Sequence, residues 1–244
     1  MTKFDFGNIK IDSDKVKDFF DSRNKSATGS LSSVNLQKDK VLSEARDIHE
    51  KNLIVPLLNL TGEENVLEIG CGIGRFVPAI INNVSNYIGL DFSTQLIEIA
   101  KKSYSQFDNA HFQVMSATDI NQNTLFNKHP FNLIMTMGLM VYLNDDDCSV
   151  LVDKIIELSH ENLCTLYLRE SISIMDKRLT LKDFYSKDLE SNYNAIYRTS
   201  DEYMSWFSKF QKRGFELVKS DFLLNNQLSN RTETSQKFWI FKNY

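Results

Sequence analysis

The spacing of hydrophobic and polar positions divides the chain near residue 60. Before that point, apolar side chains recur at helical intervals, which predicts helices over residues 12–22 and 37–55. Residues 24–36 are rich in Ser, Asn and Gly, and this composition predicts a loop between the two helices. We therefore expect residues 1–60 to form an N-terminal helical cap.

After the cap, short apolar runs alternate with helical stretches. Runs of this kind are typical of strands that are buried on both faces of a parallel sheet. The predicted strands are residues 65–70, 86–91, 110–115, 131–137, 162–169, 215–224 and 235–242. The predicted helices are residues 73–83, 93–103, 145–159 and 200–213. The order predicts an α/β domain over residues 61–244: a doubly wound, mostly parallel seven-stranded sheet, with helices on both faces and an antiparallel final strand.

One segment of this domain has no clear period. Residues 171–199 follow the fifth predicted strand and are long for a connection. Long connections in compact domains often cover binding sites. We expect this insert to close over a ligand at the carboxyl ends of the strands.

The composition excludes several classes of protein. Hydrophobic residues make up 42% of the chain, charged residues 25%, and 28 basic against 32 acidic residues leave a net charge of −4. This balance gives no general attraction to nucleic acid, and no apolar run reaches the roughly 18–20 residues that span a bilayer. The three cysteines lie far apart, which predicts reduced thiols rather than a zinc site, and the first residues lack a secretory leader pattern. We therefore expect a cytoplasmic protein without a nucleic-acid or membrane partner, assign no metal-binding residue, and leave the oligomeric state open.

The candidate chemistry begins at a cluster of glycines. The chain has nine glycines, and three of them, Gly70, Gly72 and Gly74, fall within five residues after the first strand. Such a turn lets a ligand approach the backbone, and the acid that ends the next strand, Asp91, follows Gly70 by 21 residues, as a ribose-binding acid does. A dinucleotide site would have a third glycine where this chain has Arg75.

An acid also precedes the glycine turn. The carboxylate of Glu68 would repel an anionic pyrophosphate but would attract a ligand that carries an ammonium and a sulfonium group. The turn therefore favours a nucleoside-bearing cation over NAD.

These segments resemble the motifs of the class I S-adenosylmethionine-dependent methyltransferases. Residues 66–76 (VLEIGCGIGRF) resemble motif I, residues 87–93 resemble the second motif, and residues 115–119 stand where the family contacts adenine. Residues 131–143 and 163–169 resemble the fourth-strand and fifth-strand segments. One departure is that many relatives have Asp at the position of Glu68. The resemblance implies a Rossmann-like fold and S-adenosyl-L-methionine as the cofactor.

The resemblance also implies which residues contact the cofactor. The methionine end would face Glu68, Gly70, Cys71 and Gly72, and the ribose would bind to Asp91. The adenine would lie beside Phe92, Ala117, Thr118 and Asp119, and the sulfonium near Met137 and Gly138. For Cys71 we expect a packed residue of the turn rather than a catalytic thiol.

Candidates for catalysis and acceptor binding lie on the other elements near the crevice. His49 on the second helix and Glu170 at the end of the fifth strand are candidate general bases, although Glu170 could instead pair with a neighbouring arginine. The candidate acceptor-binding residues are Tyr142, Tyr193, Tyr197 and Arg198. The alternative for Tyr193, Tyr197 and Arg198, which lie in the insert, is that they only pack the insert against the rest of the domain.

The resemblance predicts a methyltransferase that acts on a small molecule. It leaves O- and N-methylation open, with natural-product or surface-glycan biosynthesis as expected settings. One alternative is a macromolecular acceptor, RNA or protein, although no Asn-Pro-Pro-Tyr-type signature follows the fourth strand. A second is a non-catalytic cofactor-binding subunit. A third is an NAD-dependent oxidoreductase, which is less in keeping with Glu68 and Arg75.

Overall fold

The computed structural model describes residues 9–24, 36, 39–125, 130–187, 189–225 and 227–244. The helices are α1 (Ser13–Asn24), α2 (Lys40–Leu58), α3 (Val77–Ile80), α4 (Thr94–Ser103), α5 (Asp145–Leu158) and α6 (Ser200–Lys212). The strands are β1 (Asn65–Ile69), β2 (Asn86–Asp91), β3 (Ala110–Val114), β4 (Leu133–Met137), β5 (Thr165–Ser173), β6 (Leu179–Ser186), β7 (Ser191–Tyr197), β8 (Glu216–Phe222) and β9 (Thr234–Lys242). Short 3₁₀ turns cover Ile81–Asn83, Gln122–Thr124 and Met140–Tyr142.

Seven of these strands form one sheet in the order β3-β2-β1-β4-β5-β9-β8. Strands β1 to β5 are parallel, and β9 lies antiparallel between β5 and β8. The predicted fold class is therefore confirmed, including the antiparallel strand. The strand order reverses between β1 and β4, and ligands of doubly wound sheets bind at this switch point.

Alternate side chains of the central strands face two separate cores. Leu67 of β1 belongs to a buried cluster with α5 and α6, and its neighbour Val66 belongs to a cluster with α2, α3 and α4. Because both faces are covered, the central strands are apolar throughout, which is why their pattern could be predicted.

The helix predicted over residues 73–83 is much shorter in the structure. An α-helix covers only Val77–Ile80, and a 3₁₀ turn follows it. Pro78 lacks an N–H group and is best tolerated in the first turn of a helix, and the α-helix begins beside it. The residues before Val77 remain in the glycine turn.

The cap contains α1 and α2. The helix predicted over residues 37–55 is α2, which begins after Asp39, whose carboxylate accepts the Leu42 N–H, and includes Pro56 in its last turn. Most of the loop predicted over residues 24–36 lies outside the described residues. The cap boundary at residue 60 stays a prediction.

The insert is a two-stranded hairpin, β6 and β7, on which α1 packs. Sequence analysis found no period in it because the pairing register shifts between Leu181 and Phe184, and a bulge of this kind breaks strand alternation. Phe19 and Phe20 of α1 join Tyr193 of β7 in a third buried cluster. We call α1 and this hairpin the lid. None of the described helices combines the length and apolar character that crossing a membrane requires.

Candidate active site

A cavity of about 290 Å³ opens at the carboxyl ends of β1, β2, β4 and β5, beneath the lid. Its size lies at the lower end for small-molecule sites. The glycine turn after β1 lines one side, and aromatic residues of the lid line the opposite side. The cavity therefore coincides with the switch point of the sheet.

The glycine turn needs glycine for its backbone shape. Gly70, Gly72 and Gly74 have φ angles of 77°, 56° and 73°, in the left-handed region that other residues adopt at a cost. A Cβ at Gly70 would also lie 3.1 Å from Leu139. Cys71 is buried between these glycines, as expected of a packed turn residue, and burial raises the pKa of its thiol.

Asp91 ends β2 and faces the cavity. One carboxylate oxygen accepts the N–H of Gly72 at 2.9 Å, and the other accepts the N–H of Ser93 at 2.9 Å. Burial raises the pKa of Asp91 to about 6, although these two hydrogen bonds lower it. Each oxygen has a further lone pair for a ligand hydroxyl. The carboxylate therefore fits a ribose diol.

Glu68 lies in β1 beside the glycine turn and is 2% exposed. The Tyr87 hydroxyl donates to Oε2 at 2.7 Å, and burial raises the pKa of Glu68 to about 7. A cation bound in the cavity would stabilise the ionised form. The carboxyl group therefore fits the positively charged methionine end of S-adenosylmethionine.

Nine of the eleven predicted cofactor residues line the cavity: Glu68, Gly70, Cys71, Gly72, Asp91, Phe92, Ala117, Met137 and Gly138. Thr118 and Asp119 do not. Asp119 is exposed, and the hydroxyl of Thr118 is hydrogen-bonded to that of Ser116 at 2.9 Å. Just before Ala117, Met115 and Ser116 of the same segment also line the cavity.

The two candidate bases do not line the cavity. His49 directs Nε2 to the carbonyl of Leu223 at 2.9 Å. Glu170 is fully buried and accepts the backbone N–H groups of the 3₁₀ turn that follows β4, with burial raising its pKa to about 7. Neither geometry agrees with a base that touches the acceptor. Glu170 instead anchors the turn that carries Tyr142.

The three predicted tyrosines meet at the cavity. The hydroxyls of Tyr142 and Tyr193 lie 3.0 Å apart, and those of Tyr193 and Tyr197 lie 3.2 Å apart. Phe20 of α1 packs edge-on against Tyr142 and beside Phe92, which extends the aromatic wall toward the cofactor end. Burial raises the pKa of all three tyrosines, so their hydroxyls stay protonated.

Arg198 does not face the cavity. Its guanidinium is wholly buried and donates to the carbonyls of Met140 and Leu143 and to the carboxylate of Asp145. It therefore holds the segment between β4 and α5, and the expectation that it contacts an acceptor does not agree with this geometry.

Sequence analysis did not place the arginines of the cavity among the predicted site residues. Arg46, Arg75, Arg169 and Arg231 all line it. Two acids of α2 reach Arg75 and Arg169: Asp47 pairs with Arg75 at 3.0 Å, and Glu50 pairs with Arg75 at 2.7 Å and with Arg169 at 3.1 Å. Their one sequence signal was Arg75 in place of a third glycine.

Comparison with known proteins agrees with this geometry. Residues 66–161 match a family model described as a methyltransferase domain. A phosphoethanolamine N-methyltransferase of Triticum aestivum is 26% identical over 111 residues, which are 46% of this chain and 22% of that protein. The chain thus spans about a fifth of the length of this curated relative.

Solved structures share the fold. A SAM-dependent methyltransferase of the DUF858 family from Leishmania major has a TM-score of 0.69 at 19% identity, over 94% of this chain and 82% of the other. Phosphoethanolamine N-methyltransferase 1 of Haemonchus contortus, in complex with phosphoethanolamine and S-adenosylhomocysteine, has a TM-score of 0.67 at 16% identity, over 95% of this chain and 49% of the other. The family match shows a methyltransferase domain over residues 66–161, and these structures share its fold, in agreement with the predicted family and its cofactor.

Proposed function

Because the chain carries a methyltransferase domain of the class I S-adenosylmethionine-dependent type, we propose that it methylates the nitrogen of a small-molecule amine. The observation that carries the proposal is one cavity with two unlike ends. Asp91 and Glu68 lie at the end beside the glycine turn, and three linked tyrosine hydroxyls lie at the end beneath the lid.

The first end fits the cofactor. Asp91 would hold the ribose, the glycine turn would approach the cofactor through its backbone, and Glu68 would face its ammonium group. When bound, S-adenosylmethionine supplies a methyl group on a positively charged sulfur, which is already a good leaving group. The protein therefore contributes mainly position and exclusion of water.

The second end supports a small acceptor. Phe20, Tyr142 and Tyr193 close the cavity from three different elements, which leaves room for a compact molecule rather than a polymer strand. The tyrosine hydroxyls can donate to or accept from a polar group, and aromatic faces attract ammonium groups.

The residues of the cavity support nitrogen over oxygen as the acceptor atom. A hydroxyl of ordinary pKa needs a general base, whereas an amine need only arrive deprotonated. Among the described residues that line the cavity there is no histidine, and the carboxylates are Glu68 and Asp91, which serve the cofactor end. The relatives from Triticum aestivum and Haemonchus contortus are both named as N-methyltransferases.

O-methylation, a macromolecular acceptor and a non-catalytic role remain the alternatives to this proposal. So do the expected settings in natural-product or surface-glycan biosynthesis, which depend on the identity of the acceptor.

The test is methyl transfer from labelled S-adenosylmethionine to a panel of small primary amines, each paired with the hydroxyl compound of the same shape. We expect labelled product from at least one amine and none from its hydroxyl partner. Asp91→Asn, which keeps the size of the side chain, should weaken S-adenosylhomocysteine binding about tenfold or more through loss of charge-assisted hydrogen bonds. Transfer to protein or RNA alone, or unchanged affinity in Asp91→Asn, would contradict the proposal.

A further inference from the structure

A chain of paired charges runs from α2 to the wall of the cavity. Lys51 pairs with Asp47 at 2.5 Å, and Asp47 pairs with Arg75 at 3.0 Å. Glu50 then joins Arg75 to Arg169, and it also accepts the Tyr167 hydroxyl at 2.7 Å. Although burial alone would raise the pKa of Glu50, the two guanidinium groups lower it to about 2, so Glu50 is an anion.

The charges of this chain do not balance. It contains three cations, Lys51, Arg75 and Arg169, but two carboxylates, Asp47 and Glu50. Arg75 is bound to both carboxylates, whereas Arg169 shares only Glu50. Within these ion pairs, the cation with the least compensation is therefore Arg169, the end of the chain of charges.

Arg169 is 7% exposed and lines the cavity. Its Nε donates to Glu50, and among the described residues no hydrogen-bond partner is found for its Nη1 and Nη2. Nη1 lies 2.9 Å from the place that a Cβ of residue 138 would occupy, so Gly138 makes the space in which the guanidinium sits. A mostly buried guanidinium whose remaining donors reach only the cavity is stabilised when an anion binds there.

We propose that Arg169 is an oxyanion-binding residue of the cavity, which holds a carboxylate or phosphate group of a bound ligand through Nη1 and Nη2. The planar fork of arginine suits two parallel hydrogen bonds to such a group. Glu50 is the positioning residue, because it fixes Nε and leaves the other two nitrogens for the ligand. The oxyanion has two possible sources, the carboxylate of the cofactor or an acidic group on the acceptor amine, and only the second source rests on the proposed function.

The experiment is titration calorimetry with three probes: S-adenosylhomocysteine, 5′-methylthioadenosine, which lacks the amino-acid part, and inorganic phosphate added to protein saturated with S-adenosylhomocysteine. Arg169→Gln removes the charge, and Arg169→Lys keeps the charge without the fork. Arg178→Gln is the matched control, because it removes a guanidinium that pairs with Asp145 and Glu202 away from the cavity. Thermal unfolding shows that each variant is folded.

A cofactor source predicts that Arg169→Gln weakens S-adenosylhomocysteine binding at least tenfold and leaves 5′-methylthioadenosine binding unchanged. An acceptor source predicts unchanged affinity for both nucleosides and at least tenfold weaker phosphate binding. Arg169→Lys should lie between wild type and Arg169→Gln, and it carries the test if Arg169→Gln does not fold. A folded Arg169 variant that binds all three probes as Arg178→Gln does would overturn the proposal. That result would leave the proposed function standing, since it is tested by Asp91 and by the amine panel.

Discussion

Glu170 offers a sharp test of positioning against general-base catalysis. Its Oε1 accepts the N–H groups of Leu139 and Met140 at 3.1 and 3.0 Å, and its Oε2 accepts that of Val141 at 3.3 Å. In Glu170→Gln, the amide oxygen can still accept two of these groups, but the amide nitrogen would face the third as donor against donor.

The stability difference between wild type and this variant should depend on pH. Burial raises the pKa of Glu170 to about 7 from an ordinary value of 4.5. The folded protein therefore holds a proton that the unfolded chain releases between these values, and wild type loses stability as the pH rises through this window. This difference in pKa between the folded and unfolded states corresponds to about 3 kcal/mol in the free energy of unfolding. The glutamine variant cannot titrate, so it should gain that amount relative to wild type between pH 4 and pH 8.

Denaturant unfolding of both proteins across this pH range measures the difference directly. At low pH the protonated acid and the amide make similar contacts, so the two proteins should have nearly equal stability there. In methyl transfer we expect kcat to change by less than about tenfold, because Glu170 anchors the turn and does not touch the acceptor, whereas loss of a general base costs about 10²–10⁴-fold. A pH-independent stability difference, or a kcat loss of that size in a fully folded variant, would refute this reasoning.

Three further predictions concern the cavity. Burial raises the pKa of Asp91 to about 6 and that of Glu68 to about 7. Because both acids gain protons between pH 8 and pH 5, binding of S-adenosylhomocysteine should weaken at least tenfold over this range. Equal affinity at both pH values in calorimetry would contradict this. Tyr193→Phe removes the central one of the three hydroxyls, which lies 3.0 and 3.2 Å from its neighbours. The KM of the acceptor should therefore rise several-fold while the affinity for the cofactor stays unchanged. An equal loss of affinity for acceptor and cofactor would count against an acceptor role. Gly74→Ala would place a Cβ 2.8 Å from the Tyr104 ring at a φ of 73° and should cost about 1–3 kcal/mol in denaturant unfolding; an unchanged midpoint would show that the turn can relax.

Local patterns account for the parts that the sequence could predict. The central strands are buried on both faces, so their apolar runs stand out, and the glycine turn and Asp91 follow each other at a spacing set by one strand-helix-strand unit. The hairpin over residues 179–197 was not predicted, because its bulge at Leu181 and Phe184 removes the alternation on which strand prediction depends.

The charge chain could not be predicted for a different reason. Glu50 lies on a helix of the cap, and its partner Arg169 lies at the end of β5, 119 residues later. No local pattern reports such a pairing, since it exists only when α2 packs beside the sheet. The contacts of Glu170 could not be predicted for the same reason. Its position at the edge of the crevice favoured the prediction of a general base. The N–H groups that it accepts belong to a turn 29–31 residues earlier.

The lid connects the two ends of the cavity, and the nature of its contacts decides how it is held. Phe19 of α1 packs against Tyr193 at the acceptor end, and Phe20 packs beside Phe92 at the cofactor end. Burying a phenylalanine side chain stabilises by about 1.5–3 kcal/mol, whereas an exposed ion pair such as Lys15 with Asp183 is screened by solvent and contributes little. Apolar contacts therefore hold the lid closed.

A polar contact then ties the lid to the cofactor-binding acid. Asp21 of α1 accepts the hydroxyl of Ser93 at 2.5 Å, and the N–H of Ser93 donates to Asp91. Ser93 therefore connects α1, the helix that covers the acceptor end, to the carboxylate that fits the ribose. Because α1 rests on both ends at once, a ligand that displaces α1 from one end also disturbs its contacts at the other.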